Sequence, residues 1–188
     1  MGLVRKATIK AMTLHQGQLR KDEETPFIVH PLEVAMLMAR FTPNEEVIAA
    51  AILHDTIEDT KYTSEEMRQE FGPGVAELVD MVTENKAIKD WIKRKDDVLV
   101  RMGRSKMAMF LKSADAISNM RDLKDNLKIY GDKFWDKFNA SRQHMMAYYN
   151  LILDTAQENI PAEMLKEYVS LLKDLEYSSN PRTIGFTG

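Results

Sequence analysis

The sequence contains no cysteine, which excludes disulfides and thiolate metal sites and leaves histidine and carboxylate as the available metal ligands. It is also short of chain breakers. Eight glycines and six prolines are spread over 188 residues, and no sustained apolar–polar alternation marks strands. Long apolar runs are missing: the longest, residues 47–53, falls far below the roughly 20 residues of a membrane span. Residues 1–10 carry basic groups without the apolar block and small-residue cleavage site of a secretory signal. Positive charge is not in excess either. With 26 Lys and Arg against 29 Asp and Glu, the formal net charge is −3, so there is no global basis for binding nucleic acid. These absences predict a cytoplasmic protein that engages neither nucleic acid nor membrane, with room for a local basic pocket.

What is present reads as helix. Apolar residues make up 44% and charged residues 29%, a globular balance in a chain of single-domain length. Leu3, Ala7, Ala11 and Leu14 recur at helical spacing and predict a first helix ending near His15, followed by a polar loop over 17–29. Pro31 suits a first helical position. Thr42, Pro43 and Glu45 have the spacing of a capping box before a third helix. Thr63 and Glu66 repeat that spacing, and Pro73 opens the next helix. Further helices are expected over 91–100, 105–123, 133–157 and 162–175. The prediction is one all-α domain over 1–177, with a mobile tail at 178–188. The thirteen methionines read as core filler.

The most informative stretch is His54-Asp55-Thr56-Ile57-Glu58-Asp59-Thr60, at the end of an apolar helix. An imidazole and a carboxylate are what a divalent cation needs, and Glu58 and Asp59 add acid groups able to handle a proton beside it. On an ideal helix His54 and Asp55 point about 100° apart, so other ligands must come from elsewhere in the chain. His30, oriented before Pro31, is the best second imidazole, and Asp115 the best second carboxylate. Lys112, Asp115, Asn119 and Asp122 follow three- and four-residue spacing and form one polar stripe; spacing alone leaves open a solvated helix face. His15 and His144 stand outside the ligand set. Arg142, Tyr148 and Tyr149 are candidate wall residues.

Several blocks together carry a resemblance. His15-Gln16-Gly17-Gln18-Leu19-Arg20-Lys21, Pro26-Phe27-Ile28-Val29-His30-Pro31, Ala51 through Thr60, and Lys112 through Asn119 resemble, in order, the hydrolase domain of the RelA/SpoT-type family. Phe71-Gly72, Val82-Thr83 and Arg94-Lys95 continue the likeness. The nearest class within it is the single-domain small alarmone hydrolase. The resemblance implies an HD-superfamily helical bundle around a mononuclear Mn²⁺ site, with His30, His54, Asp55 and Asp115 as ligands. It implies Glu58 and Asp59 as the water-activating pair, and Arg20, Lys21 and Asn119 as nucleotide contacts. The implied reaction removes the 3′-pyrophosphate from guanosine tetra- or pentaphosphate. Departures from the family pattern are Phe27 for a common tyrosine, Ala116 for a lysine, and Ser118 for a histidine or tyrosine; they bear on base preference and phosphate contacts. Rival readings are an HD phosphohydrolase of another nucleotide and a non-catalytic alarmone-binding module.

Overall fold

Ten α-helices and one 3₁₀ helix build the described residues, 1–177 of the computed structural model. In order they are α1 (Leu3–Leu14), α2 (Val29–Ala39), α3 (Glu45–Leu53), α4 (Thr56–Asp59), α5 (Ser64–Phe71), α6 (Pro73–Val82), α7 (Trp91–Met102), α8 (Lys106–Tyr130), a 3₁₀ helix (Gly131–Lys137), α9 (Arg142–Ala156) and α10 (Ala162–Tyr177). The architecture is all-α, as the scarcity of breakers predicts. The expected tail at 178–188 lies outside the described residues.

The apolar helix α3 sits at the centre, packed against α1, α2 and α6. Six of its nine residues are buried, three of them the consecutive alanines Ala49, Ala50 and Ala51. Small side chains let helix axes approach closely, and α1 brings its own Ala7 and Ala11, both fully buried, into the core. The long helix α8 spans about 37 Å at 1.5 Å per residue and packs against α2, α6, α9 and α10. The C-terminal end of α3 therefore packs against α2, and His54, just beyond it, approaches Asp115 of α8. Met38, Met67, Met102, Met120 and Met164 are among the most deeply buried side chains, in keeping with their reading as filler.

Local signals set most boundaries. Thr63 and Glu66 form the reciprocal capping box, and Pro73 occupies the first turn of α6. Three expectations are corrected. The cap of α3 is Asn44, whose side chain accepts from Glu46 N–H at 2.9 Å; Thr42 Oγ1 accepts instead from Asn44 N–H at 3.2 Å. Asn is among the strongest N-caps, and here it stands next to the helix start. Helix α2 begins at Val29 rather than Pro31, because a proline in the first turn lacks only an N–H that has no intrahelical partner. The single helix expected over 133–157 is divided. Gly131, at φ 67°, ends α8 in a conformation that a side chain disfavours, and Ser141 caps α9 by accepting from His144 N–H at 3.2 Å.

Candidate metal centre

Helix α3 stops at Leu53, and His54 and Asp55 fall in the turn before the one-turn helix α4. Both keep right-handed helical backbone angles, and their side chains nonetheless converge, His54 Nε2 lying near Asp55 Oδ1. Helix α2 supplies His30 from its first turn and α8 supplies Asp115 from its middle. His30 Nε2 lies 3.2 Å from His54 Nε2, 3.4 Å from Asp55 Oδ2 and 3.2 Å from Asp115 Oδ1. His54 Nε2 is 3.2 Å from Asp55 Oδ1. The donor atoms of His30, His54 and Asp115 all lie within 4.8 Å of one another, and all three residues are buried. The structure thus brings His30, His54 and Asp115 to one point, with the Asp55 carboxylate beside both rings.

The chemistry of this donor set fits a divalent cation. His54 Nδ1 donates to Ala51 O at 2.8 Å, which makes Nε2 the nitrogen that faces the cluster. His30 Nδ1 is engaged by Ser118 Oγ at 2.9 Å, so its Nε2 faces the same point. Two imidazole nitrogens and two carboxylates converging at such distances call for positive charge among them, which a ring proton or a bound cation can supply. Burial pushes the His30 ring down; burial acts downward on His54 too, but Asp55 and Asp115 outweigh it and lift that ring to about 9. Two histidines with two carboxylates suit borderline to hard divalent metals.

Asp115 is held at both oxygens: Lys112 Nζ is 2.8 Å from Oδ2, and Asn119 Nδ2 donates to Oδ1 at 2.5 Å. Burial works against ionising Asp115, yet Lys112 and the two rings hold its carboxyl well below the usual range. Burial likewise opposes charge on Lys112, and Asp115 holds the ammonium well above its ordinary value. The polar stripe of α8 is therefore an inward face. Its Lys112 and Asp115 side chains are only 11% and 8% exposed.

Glu58 and Asp59 project from α4 beside this cluster. Glu58 Oε2 accepts from Glu84 N–H at 3.2 Å, and Lys86 Nζ reaches the Glu58 carbonyl and Asp59 Oδ1. Burial, Asp55 and Glu84 push Glu58 up to about 7; burial and Asp55 raise Asp59 as well. Glu58 thus stands near the pH at which a general base is most useful. A carboxyl whose folded value lies above its unfolded 4.5 contributes stability that is full below that pH and is lost as pH rises through about 7. In thermal scans of metal-free protein, Glu58→Gln should therefore unfold at a higher temperature than the wild type at about pH 8 and at the same temperature at about pH 4.

The acids border a cavity of about 600 Å³ lined by Lys21, Lys86, Lys89, Arg94, Lys95 and Lys112 and by Trp91, Phe138, Tyr148 and Tyr149. Glu84 organises part of this wall, accepting from Arg94 Nε at 2.6 Å and from Lys95. Lys95 Nζ also stands 4.5 Å over the Tyr148 ring. The Tyr148 hydroxyl is buried without a hydrogen-bond partner among the described residues. Glu84, Lys86 and Lys89 escaped the sequence reading because residues 83–90 have no apolar periodicity to place them. Arg142 belongs elsewhere: it binds Leu175 O at 2.8 Å and covers Trp135. Tyr148 and Tyr149 do form the wall.

Of the expected nucleotide contacts, Lys21 borders the cavity with Asn119. Arg20 points inward, its Nη2 donating to Asn119 Oδ1 at 2.8 Å and to Asp122 Oδ2 at 3.1 Å, with its guanidinium 5.7 Å from the Phe27 ring. An antiparallel pairing of Leu19 with Pro26 holds this loop. His15 stacks on Phe27 at 4.6 Å and His144 lies by Trp91, both away from the ligand cluster. A second depression of about 520 Å³, around Lys124, Gly131 and Tyr177, holds none of the clustered acids or imidazoles.

Comparison with known proteins bears on the family and the fold. A family described as HD domain matches residues 7–143. The guanosine-3′,5′-bis(diphosphate) 3′-pyrophosphohydrolase of Haemophilus influenzae is 39% identical over 119 residues, which are 60% of this chain and 17% of that protein. The chain thus spans less than a fifth of that longer relative. The shorter guanosine-3′,5′-bis(diphosphate) 3′-pyrophosphohydrolase MESH1 of Xenopus tropicalis is 38% identical over 125 residues, 65% of this chain and 70% of its own length. Among solved structures, a metazoan ortholog of SpoT that hydrolyzes ppGpp superposes with a TM-score of 0.78 at 25% identity, covering 92% of this chain and 95% of its own.

Proposed function

This chain belongs to the HD-domain family, and on that premise we propose that it is a metal-dependent hydrolase of guanosine tetra- and pentaphosphate. Water attacks the phosphorus bonded to the ribose 3′-oxygen, that P–O bond breaks, and GDP or GTP leaves with pyrophosphate. The observation that carries the proposal is the convergence of His30, His54 and Asp115 at separations of 3.2 to 3.8 Å, with Asp55 at 3.2 to 3.4 Å from the two rings, beside a raised carboxyl, Glu58, on a cationic cavity. The activities for which the relatives from Haemophilus influenzae and Xenopus tropicalis are named support the choice of substrate.

The four ligands would hold one Mn²⁺, and residues 1–177 would form one hydrolase domain. A bound divalent cation supplies positive charge for phosphoryl oxygens and lowers the pKa of water toward roughly 7. Glu58 takes a proton from the attacking water, assisted by Asp59. Lys112, Lys95 and Lys86 offset the charge of the substrate phosphates. Lys21 and Asn119 orient the nucleotide, and Arg20 is close enough to join them by leaving Asp122. Because the ligand chemistry also admits zinc or iron, manganese is the part of the proposal that metal reconstitution decides. A cytoplasmic setting belongs to the same proposal; no helix of the described residues is long and apolar enough to cross a membrane.

Hydrolysis of an adenine alarmone is the alternative, and one assay separates the two. The test is incubation of purified protein with Mn²⁺ and either ppGpp or ppApp, with the products identified. GDP and pyrophosphate in the first arm, both absent after chelation, are expected. Tight binding of ppGpp without turnover in Mn²⁺ overturns the enzyme in favour of a sensor, and exclusive turnover of ppApp overturns the guanine assignment.

A further inference from the structure

We propose that Glu33, acting through Ser118, fixes the His30 ring with its Nε2 lone pair turned to the ligand cluster, making both of them positioning residues for the cation. The inference rests on the metal reading above, but its geometry stands by itself. His30 Nδ1 lies 2.9 Å from Ser118 Oγ, and Ser118 Oγ donates to Glu33 Oε2 at 2.8 Å. A serine hydroxyl has one hydrogen and a carboxylate has none. The hydrogen of Ser118 is therefore committed to Glu33, and the serine oxygen can only accept from His30. The ring must carry its hydrogen on Nδ1, and in a neutral imidazole that leaves the lone pair on Nε2. This is the nitrogen 3.2 Å from Asp115 Oδ1 and 3.4 Å from Asp55 Oδ2.

The relay is built from two helix faces. Glu33 follows His30 by three residues on α2, and Ser118 follows Asp115 by three residues on α8, so each pair shares a face. His30 and Ser118 are each 2% exposed, which leaves little access for water to replace the serine. His54 needs no such help, because the carbonyl of Ala51 orients it. His30 alone depends on side chains for its tautomer, and Ser118 is one of the positions where this chain departs from the family it resembles. At this position the serine passes the demand of a carboxylate on α2 back to a ligand on the same helix.

Two variants and two measurements test this. Imidazole ¹⁵N spectra of metal-free protein read the His30 tautomer, and calorimetric titration with Mn²⁺ reads affinity. In the wild type the Nδ1–H form is expected. Ser118→Ala removes the acceptor, and Glu33→Ala frees the serine hydrogen to point at His30. Both should shift the ring toward the Nε2–H form and weaken Mn²⁺ binding by about 10- to 100-fold, the usual cost of losing an outer partner of a ligand. An unchanged tautomer in both variants overturns the relay, and a changed tautomer with wild-type affinity overturns its role in holding the cation. Failure of the wild type to bind Mn²⁺ overturns the metal reading instead, while the metal-free spectra still decide the relay.

Discussion

Glu58→Gln should lower pyrophosphate release from ppGpp by about 10²- to 10⁴-fold, the usual contribution of a positioned proton acceptor, while leaving Mn²⁺ binding unchanged. The substitution keeps the shape of the side chain and an oxygen able to accept from Glu84 N–H, the hydrogen bond that holds the carboxylate. It removes the ability to take a proton. The ligand cluster is untouched, since the close contacts run among His30, His54, Asp55 and Asp115. Single-turnover rates, paired with Mn²⁺ titration of the same preparation, measure both quantities. Loss of the metal together with the rate would make Glu58 a ligand, and wild-type turnover would remove it from the chemistry altogether. Asp59→Asn should cost less, because Asp59 is 35% exposed and already reached by Lys86.

Asp115→Ala should abolish Mn²⁺ binding and also destabilise the fold, by about 3 to 5 kcal/mol, the cost of leaving a buried charge without its partner. The stability loss comes from Lys112 rather than from the metal. Its ammonium is 2.8 Å from Asp115 and its side chain 11% exposed, so removing the carboxylate strands a cation inside the protein. Adding Lys112→Met should restore much of the stability, because two apolar groups replace a desolvated pair, and should restore none of the metal binding. Urea denaturation of the metal-free single and double variants separates the two effects. A single variant as stable as the wild type, or a double variant no more stable than the single, would show that the pair is screened by water.

Much of this molecule was readable along the chain. Capping at Thr63, the start of α6 at Pro73 and the apolar stretch that carries His54 and Asp55 inward are interactions between residues three or four apart, which sequence spacing records directly. The absence of cysteine left only imidazole and carboxylate as ligands. The small errors are local as well: Asn44 outcompeted Thr42 as a cap, and the stretch expected as one helix over 133–157 is split between the 3₁₀ turn that follows Gly131 and the helix that Ser141 caps.

Tertiary structure decided what spacing does not encode. Whether the stripe of Lys112, Asp115 and Asn119 met water or the interior depended on what α2, α3 and α9 bring against α8. Its charges can be buried because the Lys112 ammonium and the Asp115 carboxylate neutralise each other there. The same packing turned Arg20 onto Asn119, placed Glu84 between Arg94 and Lys95, and set Ser118 between His30 and Glu33. The kinds of ligand and the helices that carry them were determined by the chain itself. Their meeting at one point was decided by contacts between residues tens of positions apart, whose geometry exists only once the core formed around α3 has closed.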